Sequence, residues 1–378
     1  MINQRNMDVK GIIEALRQQS LLKRDFVVPS TALRMNDIGE LHLHLPDLNG
    51  DMQSMLASLN ISTSGSHDYT TTPNQLCHEH FSEKLKINKT YYDRMLSGHA
   101  GLLANNINYW FDKERNNYLL RTFVDPEGRG GIARAFLSNS YKPIDNWDVA
   151  ITVLDVIRKF PTLQLEAADI TDRKMYMRFI DPTIQHNAPD LLKKYKGGVN
   201  DGIIAGFIIS NSEVGEGAFS VAPRAVILAC QNGMTRVEEK MRKVHLGGKM
   251  DQGQIQWSNR TIQKNLELIQ AQAHDAINQW LTTDYLQNLT GWLLDIQQKE
   301  LSHPIDCTKN ICNELGLVDD KVEAILNHFI HDGDISPFGI AQAITYGIQN
   351  ADADQQYEVE SKVFQLVERI DKFDKVKK

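Results

Sequence analysis

The chain is poor in cysteine and has no long apolar run, and both shortages narrow what it can be. Its four cysteines, Cys77, Cys230, Cys307 and Cys312, form no CxxC pair and suit neither a disulfide framework nor a zinc module. Reduced thiols in a cytoplasm are the simplest reading. No stretch approaches the ~20 apolar residues that a membrane span needs. The opening MINQRNMDVKGIIEALRQQS lacks the apolar core of a secretory signal. The expectation is a cytoplasmic protein with no membrane partner.

Catalytic signatures are equally scarce. There is no GxxxxGK followed by Ser or Thr, which argues against phosphate-loop hydrolysis. Gly215-Glu216-Gly217 is only a GxG fragment without a convincing dinucleotide-binding helix after it. Ser212 lies beside Glu213 with no GxSxG elbow around it. His42 and His44 alternate on one side of a strand, and Cys77-His78-Glu79-His80 adds further metal-capable groups. Adjacent residues of a helix point apart, however, so surface histidines are the better reading than zinc ligands. Asp145 and Asp148 fit helix capping better than acid–base work. No cofactor, metal or catalytic residue is therefore assigned.

What is present is an ordinary globular composition, 42% hydrophobic and 24% charged over 378 residues, enough for two or three domains. Residues 1–24 read as an amphipathic helical extension with a basic end. Leu41-His42-Leu43-His44-Leu45 alternates as a strand does. Residues 60–73 read as a polar loop, and Thr72-Pro73 opens a helix at about Asn74. Tyr91 to Trp110 continues helically, with Tyr92, Met95, Leu96, Leu102 and Leu103 on its buried side. Two apolar runs, 118–124 and 132–137, flank Asp125-Pro126-Glu127-Gly128 and predict an antiparallel hairpin. A helix capped at Asp145 follows, running to about Phe160, where Pro161 ends it. Strands follow at 163–166 and 174–179, then a polar loop at 182–199 with a short helical piece.

The most informative stretch is 205–234, AGFIISNSEVGEGAFSVAPRAVILACQNGM. Apolar runs punctuated by Gly and Asn predict strand, loop, strand and turn. The polar triplet Asn211-Ser212-Glu213 between them marks an edge, a site or an intersubunit contact, with Asn232 at the following turn. From about Trp257 to Gln298 apolar residues recur at helical spacing, as one long helix or two end to end. The rest reads as a small acidic helical unit, with a breaker at Asp332-Gly333 and an N-cap with first-turn proline at Ser336-Pro337. The fold class is thus α+β, a central mainly antiparallel sheet with flanking helices, then a long helix and a small helical C-terminal unit. The boundaries fall at 1–24, 25–250, 251–300 and 301–378.

The net charge of −7 is unevenly spread. Residues 224–249 carry six basic against two acidic side chains, and residues 113–142 carry six against three, whereas 281–378 carries nine against seventeen. Local basic surface on an acidic chain admits an anionic partner in one place. Arg121 and Arg134 fall on facing strands of one hairpin and project from one face. With Lys142, Arg242, Lys243 and His245 they form the most coherent anionic site. Tyr141 and Trp110 offer stacking surfaces, although aromatics in such contexts are more often core residues. Cations plus aromatics on a sheet suit single-stranded nucleic acid.

Several segments in order carry a resemblance: Tyr91-Tyr92-Asp93-Arg94-Met95-Leu96, Leu103-Ala104-Asn105-Asn106-Ile107-Asn108-Tyr109-Trp110, Leu120-Arg121-Thr122-Phe123, and Arg134-Ala135-Phe136-Leu137-Ser138 with Tyr141-Lys142-Pro143-Ile144-Asp145-Asn146. Ile209-Ser210-Asn211-Ser212-Glu213-Val214-Gly215, Asn232-Gly233-Met234 and Arg242-Lys243-Val244-His245-Leu246-Gly247 continue it. Over about residues 25–250 the chain resembles a family of phage- and plasmid-borne proteins, a domain of unknown function. The resemblance implies a bacterial mobile element and favours a DNA-processing role. It assigns no residue a chemical task.

The leading expectation is a non-enzymatic protein that binds single-stranded DNA and anneals it or assists recombination, as a homo-oligomer. Two alternatives stand beside it. One is a protein-interaction factor such as an inhibitor of a host defence system, motivated by the acidic tail. The other is a metal-dependent nuclease or hydrolase using Glu213 and His245.

Overall fold

Strand pairing divides the chain between two sheets, and helices cover both. The computed structural model describes residues 3–44, 68–124, 130–193, 202–228, 232–235, 241–243 and 259–376. The first half comprises β1 (Gln4–Met7), α1 (Val9–Leu22), β2 (Lys23–Pro29), β3 (Leu33–Met35), β4 (Leu41–His44), β5 (Asp68–Pro73), α2 (Gln75–Lys84), α3 (Lys89–Gly98), α4 (Ala100–Glu114), β6 (Asn117–Val124), β7 (Gly131–Ser138) and α5 (Asn146–Ile157). Then come β8 (Gln164–Ile170), β9 (Met175–Asn187), α6 (Pro189–Leu192), β10 (Gly202–Asn211), β11 (Phe219–Ile227), β12 (Asn232–Thr235) and β13 (Met241–Lys243). The helical remainder is α7 (Asn259–Trp280), α8 (Thr283–Gln297), α9 (Pro304–Glu314), α10 (Asp319–Asp332), α11 (Pro337–Gly347) and α12 (Ala353–Glu368).

The class is α+β. The larger sheet is antiparallel in the order β1-β8-β9-β10-β11-β12, with β13 also paired to β11. The smaller runs β2-β6-β7-β5-β4-β3, antiparallel except for β5 beside β7.

Residues 3–22 are built into the fold. β1 pairs with β8, and the Asp8 side chain caps α1 by accepting from the Gly11 N–H. The i, i+3, i+4 set Ile12, Ala15 and Leu16 packs in one apolar layer with Val149 and Val153 of α5 and with Met177, Phe179 and Phe207 of the larger sheet. Ile269, Ala273 and Ile277 of α7 join that layer. The described residues of 23–138 then form the smaller sheet, with α2, α3 and α4 packed on Phe26, Leu120 and Phe136. Helices α8 to α12 share a third core with Ile203, Ala205, Ala225 and Ile227. Packing therefore runs across the boundaries drawn at 24, 250 and 300.

Local departures from the sequence reading have physical causes. The helical run 91–110 breaks at His99, whose Nδ1 accepts from the Leu102 N–H at 3.2 Å. The break resets the helical phase: Leu103, Ala104, Ile107 and Phe111 turn inward and Leu102 turns out. Pro182, expected in a loop, lies inside β9. The β9–β10 register jumps from Asp181↔Ala205 to Gln185↔Ile204, and this irregularity absorbs a residue without an N–H. Of the two arrangements allowed for the helical stretch after 257, the structure has two helices, with Thr282 capping the second. Residues 68–73, expected in a loop, form β5 by antiparallel pairing with β4, while Leu45, 60–67 and the hairpin turn at 125–128 lie outside the described residues.

Candidate functional site

Alternation along β6 sends Tyr118 and Leu120 into the core of the smaller sheet and Leu119 and Arg121 to its other face. Arg134 reaches that face through a β-bulge: Arg121 opposes Ala135 and Thr122 opposes Ala133, so Arg134 is the extra residue. Both guanidinium groups leave the same face, and that face is covered by the β10–β11 loop.

The loop, β2 and the start of α5 supply their partners. Arg121 Nη2 donates to Asp25 Oδ2 and Asp145 Oδ1, each at 2.7 Å, and its Nη1 donates to the Glu213 carbonyl at 2.5 Å. Arg134 Nη1 donates to Glu213 Oε1 at 2.7 Å, while Glu213 Oε2 accepts from the Asn146 N–H at 2.9 Å. Lys23 Nζ pairs with Asp145. Asp145 holds the N-cap position of α5 but makes no cap bond, because its carboxylate turns to Arg121 and Lys23. Glu213, from a distant loop, takes the first helical amide instead. Asn211 Nδ2 donates to the Ile144 carbonyl and to Asn146 Oδ1, and Tyr141 Oη donates to the Ser212 carbonyl at 3.0 Å. Around this lies an apolar seal of Leu76, Leu119, Ala135, Leu137, Tyr141 and Val214. Gly215 turns the loop at φ +92°, where a Cβ would lie 2.8 Å from Leu137 Cδ2.

Burial opposes charge on Arg121, but Asp25, Asp145 and Glu213 more than offset it and hold the guanidinium well above its usual range. Burial likewise works against ionised Glu213 and Asp145. Arg134 and Arg121 overcome it for Glu213, and Arg121 and Lys23 for Asp145, leaving both carboxyls below their usual values. Asp148 is displaced upward, by burial and then by the Asp145 charge.

A second ionic link joins the same two sheets. Arg173, in the β8–β9 turn, donates to Glu79 of α2 and to Glu216 of the β10–β11 loop, each at 2.7 Å. His80 Nδ1 accepts from the Phe136 N–H at 3.2 Å, so the neutral ring carries its proton on Nε2, 3.5 Å from Glu216.

These contacts correct the expected anionic groove. Arg121 is 0% and Arg134 4% exposed, both are neutralised internally by carboxylates, and Tyr141 is a core residue. None of the three faces a strand of nucleic acid. Lys142 is exposed. The backbone places Arg242 opposite Ser220 and Lys243 opposite Phe219, at the start of β11 just after the Glu213 loop. Asn232 opposes Ile227 at the other end of β11. His245 lies outside the described residues. Asn211, Ser212 and Glu213 are buried inside one chain, as a junction between its sheets.

Ser212 and Glu213 are both engaged within the junction. Ser212 Oγ donates to the Arg173 carbonyl and accepts from the Glu216 N–H, and both Glu213 oxygens are bonded. His78 is hydrogen-bonded to Tyr92 Oη at 2.7 Å and held down to about 4 by burial. His42 and His44 are exposed on β4, with His42 Nδ1 2.9 Å from Thr70 Oγ1. Among the described residues no three His, Cys, Asp or Glu side chains converge as a metal site.

Exposed chemistry gathers on α4. Leu102 and Tyr109, at i and i+7, lie on the side away from the core, and Trp110 flanks them; the three are 46%, 55% and 38% exposed. The β3–β4 turn abuts the start of this helix, where a Cβ on Gly101 would lie 3.4 Å from Asp37 Oδ1, and it carries Ile38, 74% exposed. Asn108 ties α4 to β3 through both Met35 backbone groups, at 2.8 Å each. Tyr109 and Trp110 pack edge to face, Lys113 Nζ lies 5.5 Å from the Tyr109 ring centre, and Arg115 is exposed at the helix end. Trp110 is legible in the sequence as a stacking surface, whereas Ile38 and Tyr109 are not singled out there; for Tyr109 the i+7 spacing from Leu102 is the signal.

No protein-family model, curated protein or solved structure matches this chain.

Proposed function

We propose that the protein works by binding, and that its partner is another protein seated on the strip formed by Ile38, Leu102, Tyr109 and Trp110. The observation carrying this reading is the strip itself: four large exposed apolar side chains on one helix and its neighbouring turn, with Tyr109 and Trp110 packed edge to face. Trp and Tyr anchors with a polar rim are the usual energetic centre of protein interfaces, and contiguous apolar surface generally marks interaction sites. Two members are aliphatic, which suits apolar side chains of a partner better than stacked bases. The resemblance to phage and plasmid proteins supports a partner in a bacterial cytoplasm, as an accessory or inhibitory factor of a mobile element.

A second reading retains single-stranded DNA as the ligand. Lys113 over Tyr109, Trp110 beside it and exposed Arg115 combine cations with aromatic platforms, as sequence-tolerant strand binding requires. A photo-crosslinking amino acid at position 109 of the full chain, expressed in a bacterial host, separates the two. A discrete protein adduct, a second copy of this chain included, that disappears in Leu102→Glu supports the first. A nucleic-acid adduct weakened by salt supports the second. A strip that labels nothing above background contradicts both.

A further inference from the structure

Helix α12 lies on the larger sheet: Val359, Val363, Phe364 and Val367 enter the third core, whereas its other inward residues meet the strands through largely polar contacts. Tyr176 Oη donates to Asp354 Oδ1 at 2.6 Å, and Arg5, from β1, donates to Gln356 Oε1 at 2.8 Å and to the Ala351 carbonyl. The apolar patch beneath is small: Tyr176, Ile208, Ala222 and Ala353, with Tyr357 packed against it.

At the centre is Glu360, 3% exposed. Its Oε1 accepts from Gln356 Nε2 at 2.9 Å, and its Oε2 lies 3.8 Å from Arg224 Nε, beyond hydrogen-bond distance. Arg224 is already bonded at 2.5 Å to Glu166 of β8, and its Nε, like the neighbouring Ser361 Oγ, has no hydrogen-bond partner. Arg178 of β9 is bonded at 2.7 Å to Asp169 of β8. The charged groups facing Glu360 are thus Arg224 and Arg178, each already paired, and the like-charged Glu166. A buried carboxylate in such company is poorly compensated.

We propose that α12 is a strap over this arginine-bearing sheet face, closed while Glu360 is protonated and loosened when it ionises. Burial raises the Glu360 carboxyl above the ordinary range, and Arg224 and Arg178 do not fully counter it. In the opened state Glu360 titrates as an ordinary carboxyl. Opening therefore releases a proton between that ordinary range and the raised value, and rising pH favours it there. Above the raised value the effect levels off. Opening bares Tyr176, Arg178 and Arg224.

Hydrogen–deuterium exchange of the full chain, read over 353–368 and corrected for the intrinsic pH dependence of exchange, tests this from mildly acidic to mildly alkaline conditions. The wild-type opening constant should rise by up to about tenfold per pH unit within the window and then flatten. The isosteric Glu360→Gln should abolish that rise, whereas Glu358→Gln, at an exposed position bonded to Lys362, should keep it. A pH-independent wild type, or a Glu360→Gln variant with the wild-type slope, would overturn the proposal.

Discussion

Arg121 and Arg134 interrupt apolar strands, and a guanidinium in such a place needs carboxylates around it. Arg121→Met should destabilise the fold by about 3–5 kcal/mol in urea titrations, because Asp25 and Asp145 lose their principal cation. A loss below about 1 kcal/mol would show that the contacts are incidental. The linkage has a definite sign. Asp145 and Glu213 are held below their ordinary values, so their contribution is fully present above the ordinary carboxyl range and is lost as pH falls through the depressed values. Urea midpoints should therefore decline on acidification below about pH 4, less steeply in Glu213→Gln. In the sequence the two arginines are legible as same-face residues. Their burial is not, because the partners of Arg121 lie 96, 24 and 92 residues away, at Asp25, Asp145 and Glu213.

Among the elements, local signals served wherever local chemistry decides the outcome. Asn74 and Ser336 cap α2 and α11, Gly333 closes α10 at φ +72°, and strands β6 and β7 pair antiparallel as expected, apart from one bulge. Ser336→Ala should lower stability by about 1 kcal/mol, measurable as a shifted urea midpoint. Asp145 defeats the same logic: it stands in the capping position yet serves Arg121, a long-range contact that no local pattern encodes. Gly215→Ala forces a side chain into a left-handed position against Leu137 and should cost about 1–3 kcal/mol. The bulge that re-aims Arg134 and the irregularity that accommodates Pro182 are likewise set by strand partners. The α4 strip was half legible, because the break at His99 shifts the helical phase and turns Leu102 outward.

For the molecule as a whole, the described residues of 23–138 form one half, and those before and after them form the other, joined by the apolar seal and two ionic links. Trp110 is the sole tryptophan within 23–138, whereas Trp147, Trp280 and Trp292 report on the other half. Wild-type unfolding should be coincident by tryptophan fluorescence and far-ultraviolet circular dichroism, and Glu213→Ala should separate the two curves. Exposed positions behave otherwise: Trp110→Ala should alter stability by less than about 0.5 kcal/mol while removing partner binding. The most direct test of the junction is a double-mutant cycle in urea between Arg134 and Glu213, each replaced by alanine. A coupling of at least about 1.5 kcal/mol is predicted for a buried pair that fastens two sheets. A coupling within about 0.3 kcal/mol of zero would contradict the account and return Arg134 to the candidates for a ligand-facing role.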